Sequence, residues 1–192
     1  MKKIAFDIDG TVIDLYKSIS DRLKKTHNII LSPEAFSRKT IEEVTNLSYE
    51  EVLNCVNECT KDIYNQISYP GAIQFIRNYS RISNGGEVLF VTNRWDVHNT
   101  YKLLDSYFGD IYYNLTCIVG SKVSELQKRK VDIFVEDRIE NAEEISNAGI
   151  FTILLDRPWN QFGSKGSDKL VRVKDWTELR KVYEKMEGKI AW

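Results

Sequence analysis

The stretch KIAFDIDGT, residues 3–11, constrains the fold more than any other part of the chain. An apolar run, Ile4-Ala5-Phe6, stops abruptly at two carboxylates, Asp7 and Asp9, and Gly10 and Thr11 follow. An apolar strand with acid at its C-terminal end is where an open α/β sheet places its chemistry. Residues two apart on a strand point the same way, so both carboxylates can share one face. Two close carboxylates repel, and desolvating them is costly, unless a cation or a shared proton compensates. A hard divalent ion such as Mg²⁺ suits such oxygens. A solvated strand end is the plainer alternative.

After Thr11 the pattern turns helical. Tyr16, Ile19 and Leu23 recur at helical spacing up to about His27. Ser32-Pro33 reads as an N-cap followed by proline at the first helical position. Thr40 with Glu43, and Ser48 with Glu51, have capping-box spacing. Val52, Cys55, Val56, Cys59 and Ile63 form one apolar face. The segment from about 15 to 68 is therefore expected to be helical throughout and is too long for a connecting loop. It reads as a helical cap domain, residues 15–69, inserted after the first strand.

Pro70-Gly71 closes that insertion and opens a helix carrying Ile73, Phe75 and Ile76. Asn84-Gly85-Gly86 is a turn signal. Further strands are expected at Glu87–Val91, Leu115–Val119, Val131–Val135 and Phe151–Leu155, with an edge strand at Leu170–Val173. Helices alternate with them, and Asp175 and Glu178 box the last one. Such alternation predicts an α/β fold, a doubly wound Rossmann-like parallel sheet with helices on both faces. Residues 1–14 and 70–192 would form this core.

Charge narrows the partners. Lys plus Arg number 27 and Asp plus Glu 28, for a formal charge of -1. Nothing in that balance argues for a membrane or nucleic-acid footprint, and no stable nucleic-acid complex is expected. No apolar run approaches membrane-spanning length. Met1-Lys2-Lys3 enters the first strand directly and leaves no room for a secretory leader, so the expected location is the cytoplasm. Cys55, Cys59 and Cys117 are too few for a disulfide scaffold. Cys55 and Cys59 could share a helix face and hold a soft metal. With no histidine or third cysteine nearby, they read instead as small buried hydrophobes.

Four strand ends carry polar groups: Asp7/Asp9, Thr92/Asn93, Ser121/Lys122 and Glu136/Asp137. A parallel sheet brings such ends to one edge. Carboxylates suit Mg²⁺, while hydroxyl, amide and ammonium suit phosphate. No glycine-rich dinucleotide loop follows the first strand, and no GxxxxGK[ST] run exists. A bound phosphate monoester then needs another chemistry, and a carboxylate is the available nucleophile. The Asp-x-Asp-Gly run lacks calcium-loop spacing. Taken singly, Thr92 is a strand-end hydroxyl and Lys122 a solvated lysine. Lys128 and Lys130 rival Lys122, but they flank Arg129 in what reads as a solvated basic run. Arg138 either binds substrate or pairs with a surface acid such as Glu140. The ordered set, not any member, carries the reading.

That set resembles the haloacid dehalogenase-like phosphohydrolase superfamily. Its DxDGT motif is matched by Asp7-Ile8-Asp9-Gly10-Thr11, its strand-end Thr or Ser by Thr92 in LFVTN, its lysine by Lys122, and its acidic pair by Glu136-Asp137 in IFVEDR. The stretches YPGAIQFI, VEDRIENAEEI and ILLDRPWN are similar to the 5'(3')-deoxyribonucleotidase branch. The resemblance implies that Asp7 attacks phosphorus to form an aspartyl-phosphate and also touches Mg²⁺. It implies that Asp9 protonates the leaving oxygen, then deprotonates the attacking water, and gives its backbone carbonyl to the metal. Asp137 would be the remaining metal carboxylate, with Glu136 steering water or the metal shell. Thr92 and Lys122 would hold phosphoryl oxygens, and Asn93 would offer mainly its backbone N–H.

The expected function is thus Mg²⁺-dependent hydrolysis of a nucleoside monophosphate, with a deoxyribonucleotide preferred. A sugar phosphate or other small metabolite is an alternative substrate, and a silent phosphate-binding regulatory protein is another class. Retention of both Asp7 and Asp9 argues against silence. A polynucleotide 3'-end phosphatase lacks a basic track to support it. Cap aromatics are candidates for stacking on a base: Phe36, Tyr49, Tyr64 and Tyr69, with Trp95 beside the second motif. Trp159 in the RPWN loop reads as an anchor for that loop.

Overall fold

Every inner strand of the sheet is apolar on both faces, and the strand order explains why. In the computed structural model, which describes residues 1–32, 41–82, 87–162 and 167–188, the strands are β1 (Ile4–Phe6), β2 (Val88–Thr92), β3 (Tyr113–Cys117), β4 (Ile133–Glu136), β5 (Phe151–Leu155) and β6 (Leu170–Val173). They form one sheet in the order β3-β2-β1-β4-β5-β6, with every pairing parallel. Ile4, Phe6, Phe90 and Val135 cluster with Ile76, Leu103 and Leu179, from helices α4 (Ala72–Ile82), α5 (Val97–Phe108) and α8 (Trp176–Met186). Ala5, Leu89, Val91 and Phe134 cluster on the other side with Leu126 and Ile145, from α6 (Val123–Lys128) and α7 (Ile139–Asn147). This is the doubly wound parallel architecture, and β1 lies at its centre.

Three strand boundaries differ from those expected. β3 begins at Tyr113 rather than Leu115 and ends at Cys117, with Tyr113 paired to Val88. It is an edge strand, half-buried along its whole length, so its Asn and Thr mask the pattern. β2 runs on to Thr92, and β4 runs from Ile133 to Glu136 instead of from Val131 to Val135.

The segment after β1 is helical but interrupted. It comprises α1 (Leu15–His27), α2 (Ile41–Thr45), α3 (Tyr49–Lys61) and a 3₁₀ turn at Ile63–Asn65. Asn28 caps α1 in the left-handed region (φ 55°), and Asn46 follows α2 with φ 58°. Asparagine tolerates that conformation, and a left-handed residue ends a helix where apolar spacing alone would continue it. Ser48 and Glu51 form the expected capping box. Ile19, Leu23, Leu31, Cys55 and Cys59 make a separate small core, so both thiols pack as small hydrophobes. The chain leaving and re-entering the sheet pairs with itself. Tyr69 N–H donates to the Val12 carbonyl and Asp14 N–H to the Ile67 carbonyl, each at 2.9 Å, around an Ile13–Ser68 bridge.

Pro33, Phe36, Thr40 and the Asn84-Gly85-Gly86 turn lie outside the described residues. Among those described, no helix is long and apolar enough to cross a membrane.

Candidate active site

Because β1 and β4 are neighbours while the chain crosses to opposite sides of them, the crevice of the sheet opens at their C-terminal ends. Asp7 continues the β1–β4 ladder, donating its N–H to the Val135 carbonyl at 2.9 Å. Glu136 and Asp137 end β4 directly beside it. Asp7, Glu136 and Asp137 each present a carboxylate oxygen within 4.8 Å of the others, and all three are buried. Gly10 permits this approach. Its φ is +74°, and a Cβ there would sit 2.0 Å from Asp137 Oδ2. G10A is therefore expected to destabilise the fold by at least about 1 kcal/mol, lowering the thermal midpoint by roughly 2–4 °C for a chain of this size. Differential scanning calorimetry checks this.

Lys122 neutralises part of the cluster. It caps α6 five residues beyond the end of β3, not at a strand end. Its Nζ donates to Asp7 Oδ1 at 2.6 Å and to Glu136 Oε2 at 2.8 Å. Lys128 instead points outward, its side chain 79% exposed. Glu136 is fully committed. Its Oε1 accepts from the N–H groups of Asp137 and Arg138, and its Oε2 from Lys122 and Asn141 Nδ2. A carboxylate has about four acceptor sites, so none is left for an ion. In this geometry Glu136 holds Lys122 Nζ at 2.8 Å.

Burial pushes the Asp7 carboxyl up to about 7, with Glu136 adding to the rise and Lys122 opposing it. Asp137 is held well above the usual carboxylate range by burial and by the charges of Glu136 and Asp7. Burial also works against charge on Glu136 and Lys122, but their attraction wins: Glu136 is held below its usual range and Lys122 above.

Asp9 has a partner that sequence reasoning missed. Arg94 Nε donates to Asp9 Oδ2 at 2.8 Å, and Nη2 donates to Oδ1 at 2.6 Å. Thr92 is buried at the end of β2, and its Oγ1 accepts from the Arg94 N–H at 3.3 Å. Asn93 spends its side chain on the loop before α6, donating to the Ile118 and Gly120 carbonyls at 3.1 and 3.0 Å. These two bonds tie the end of β2 to the loop that delivers Lys122.

Trp159 does more than anchor its loop. Its indole Nε1 donates to Asp137 Oδ2 at 2.7 Å, and its ring stacks on Tyr16 of α1 at 5.9 Å. Asn160 adds a bond to the Asp137 carbonyl at 2.6 Å, and Arg157 Nε donates to the Gly10 carbonyl at 2.7 Å. The RPWN loop thus braces both sides of the carboxylate cluster.

A cleft of about 230 Å³ opens over these groups. Asp7, Asp9, Thr92, Asn93, Lys122, Glu136 and Asp137 line it, as do Arg94, Arg138 and Asn141. The inserted segment contributes Leu15, Val56 and Thr60. Trp95 lines it too and is 63% exposed. The cap tyrosines do not line it. Tyr49 and Tyr64 face solvent elsewhere, at 69% and 91% exposure. Tyr69 lies under Arg157, 3.8 Å from its guanidinium carbon to the ring centre, and donates to Asp14 Oδ1 at 3.3 Å.

With this geometry in hand, similarity to known proteins is informative. Residues 1–187 match the family described as 5' nucleotidase, deoxy (pyrimidine), cytosolic type C protein. A nucleotidase of Clostridium acetobutylicum is 24% identical over 187 residues, covering 95% of this chain and 94% of its own. A Chlorobaculum tepidum protein provisionally named as a 5'(3')-deoxyribonucleotidase is 26% identical over 170 residues, with 82% and 80% covered. A haloacid dehalogenase-family hydrolase of Deinococcus radiodurans, solved with bound phosphate and sodium, shares the fold at a TM-score of 0.65 and 12% identity, covering 100% of this chain and 98% of its own. The chain belongs to the 5' nucleotidase, deoxy (pyrimidine), cytosolic type C family, within the haloacid dehalogenase-like phosphohydrolase superfamily.

Proposed function

We propose that the chain is a Mg²⁺-dependent phosphomonoesterase that hydrolyses a nucleoside monophosphate, preferentially a deoxyribonucleotide, through a phosphoryl group carried on Asp7. The observation that carries this reading is the buried meeting of Asp7, Asp137 and Lys122 beneath an open cleft. The donor set fits the metal. Asp7 and Asp137 offer hard oxygens, Gly10 leaves room beside Asp137, and burial with like charge leaves both acids in need of a cation. Asp7, Asp137 and the backbone carbonyl of Asp9 would hold Mg²⁺. When bound, the ion supplies charge stabilisation at the transferring phosphoryl oxygens.

The chain's own residues do the rest. An Asp7 oxygen forms a bond to phosphorus as the bond to the leaving oxygen breaks, and Asp9 gives its proton to that oxygen. Water then attacks phosphorus, Asp9 takes its proton, and the Asp7–phosphorus bond breaks to release inorganic phosphate. Thr92, Lys122 and the N–H of Asn93 hold the phosphoryl oxygens throughout. Glu136 holds Lys122 in place. We assign residues 1–14 and 70–192 to the catalytic core and 15–69 to a cap that excludes water from the reaction.

Recognition of the base rests on Trp95, the exposed ring on the cleft wall. Base stacking on an aromatic side chain is worth about 1–3 kcal/mol. W95A is therefore expected to lower the ratio of kcat/KM for a nucleotide over a small generic phosphate ester by roughly 10- to 100-fold, at 1.4 kcal/mol per decade. Phosphate release across nucleoside monophosphates and sugar phosphates, in wild type and W95A, measures this. Equal losses on both classes reject stacking by Trp95, and a wild-type preference for sugar phosphates rejects the nucleotidase reading.

A further inference from the structure

Arg94 is a buried cation that the reaction above leaves without a task. Its side chain is 4% exposed and grips both oxygens of Asp9. Burial works against its charge, but Asp9 more than offsets this. The same Nη2 donates to Gln66 Oε1 at 2.6 Å. Gln66 is itself 2% exposed and lies on the return path of the inserted segment, between the 3₁₀ turn and the Ile13–Ser68 bridge. Its amide is fixed from both ends, because Nε2 donates to the Thr60 carbonyl at 3.1 Å. Its backbone carbonyl accepts from the Tyr107 hydroxyl of α5 at 2.6 Å. Thr60 belongs to α3 and lines the cleft. A continuous chain of bonds therefore joins the cleft wall supplied by the insertion to the side chain of Asp9.

We infer that Arg94 is a positioning residue for Asp9, and that Gln66 couples it to the insertion, so that the seating of α3 sets the direction of the proton-transfer carboxylate. A planar guanidinium fork fixes both the plane and the reach of a carboxylate, which a lone charge does not. Both Asp9 oxygens are held, so one of them must leave its Arg94 bond and carry the proton that passes to the leaving oxygen, while the other keeps its Arg94 bond and the carboxyl stays aimed. The inference rests on the phosphatase reading above.

The test compares leaving groups in the first turnover, by rapid quench. A nucleoside leaves as an alkoxide and needs a proton, whereas p-nitrophenolate leaves without one. R94M is expected to slow nucleoside release about 100-fold, the lower end of what a positioned general acid contributes, and p-nitrophenolate release by less than about threefold. R94K restores part of the loss, since ammonium cannot fork. Q66A, which changes no charge, gives a smaller loss with the same leaving-group bias. R94M/Q66A matches R94M, because residues acting in series are not additive. Equal losses on the two substrates, or an additive double variant, overturn the inference. Wild-type protein that releases neither leaving group fails the phosphatase reading itself, a result distinct from wild-type release with no bias in R94M.

Discussion

D7N is expected to abolish steady-state phosphate release, a loss of at least about 10⁴-fold, in the range seen when a positioned nucleophile is removed. The substitution keeps the shape of the side chain and leaves Lys122 its second partner, Glu136 Oε2, at 2.8 Å. It is also expected to leave the fold no weaker. Without a cation, burial pushes the Asp7 carboxyl of the folded protein up to about 7, above the ordinary carboxylate range it has in the unfolded chain. Ionised Asp7 therefore destabilises the folded state as pH rises through that window, and asparagine removes the penalty. A thermal midpoint at pH 8 equal to or above that of wild type, together with no turnover, separates loss of chemistry from loss of structure. Turnover by D7N within tenfold of wild type would exclude Asp7 as nucleophile.

The second large effect concerns the metal. EDTA is expected to reduce activity to background, and added Mg²⁺ to restore it. An ion that binds only the folded state also stabilises it by mass action, about 2.7 kcal/mol at a hundredfold excess over Kd. The thermal midpoint of wild type should rise with Mg²⁺, and that of D137N should not, because D137N loses a proposed ligand. W159F should weaken the response without removing it, since the indole N–H orients Asp137 Oδ2 from 2.7 Å. Full activity in EDTA, with no Mg²⁺-dependent rise in midpoint, would contradict the metal assignment.

Much of the architecture was legible because the central strand is so distinctive. Ile4-Ala5-Phe6 is apolar on successive residues, as only a strand covered on both faces requires, and its acids mark the functional end. The parts that escaped did so for physical reasons. β3 is a half-buried edge strand, and helix ends at Asn28 and Asn46 depend on left-handed backbone that apolar spacing does not reveal. Arg94 follows a strand end, where an arginine normally reaches solvent. Its partner Asp9 lies 85 positions away, and only the β1–β2 pairing brings them together. The run TNRW held the clue, an arginine at the edge where the other polar groups converge. Trp159 was visible as an aromatic in a turn, but not as a donor to a carboxylate 22 positions earlier. Of the aromatics weighed as stacking candidates, Tyr49, Tyr64 and Tyr69 do not line the cleft, to which the described residues of the insertion give Leu15, Val56 and Thr60.

The central claim is that phosphoryl transfer proceeds in two displacements through the protein, and the stereochemistry at phosphorus tests it most directly. A phosphorothioate monoester made chiral with oxygen isotopes is hydrolysed in water of the third isotope, and the configuration of the inorganic thiophosphate is determined. Each in-line displacement inverts phosphorus, so transfer through Asp7 predicts overall retention, whichever step is slower. Overall inversion would mean that water attacks the substrate directly, and would contradict the account.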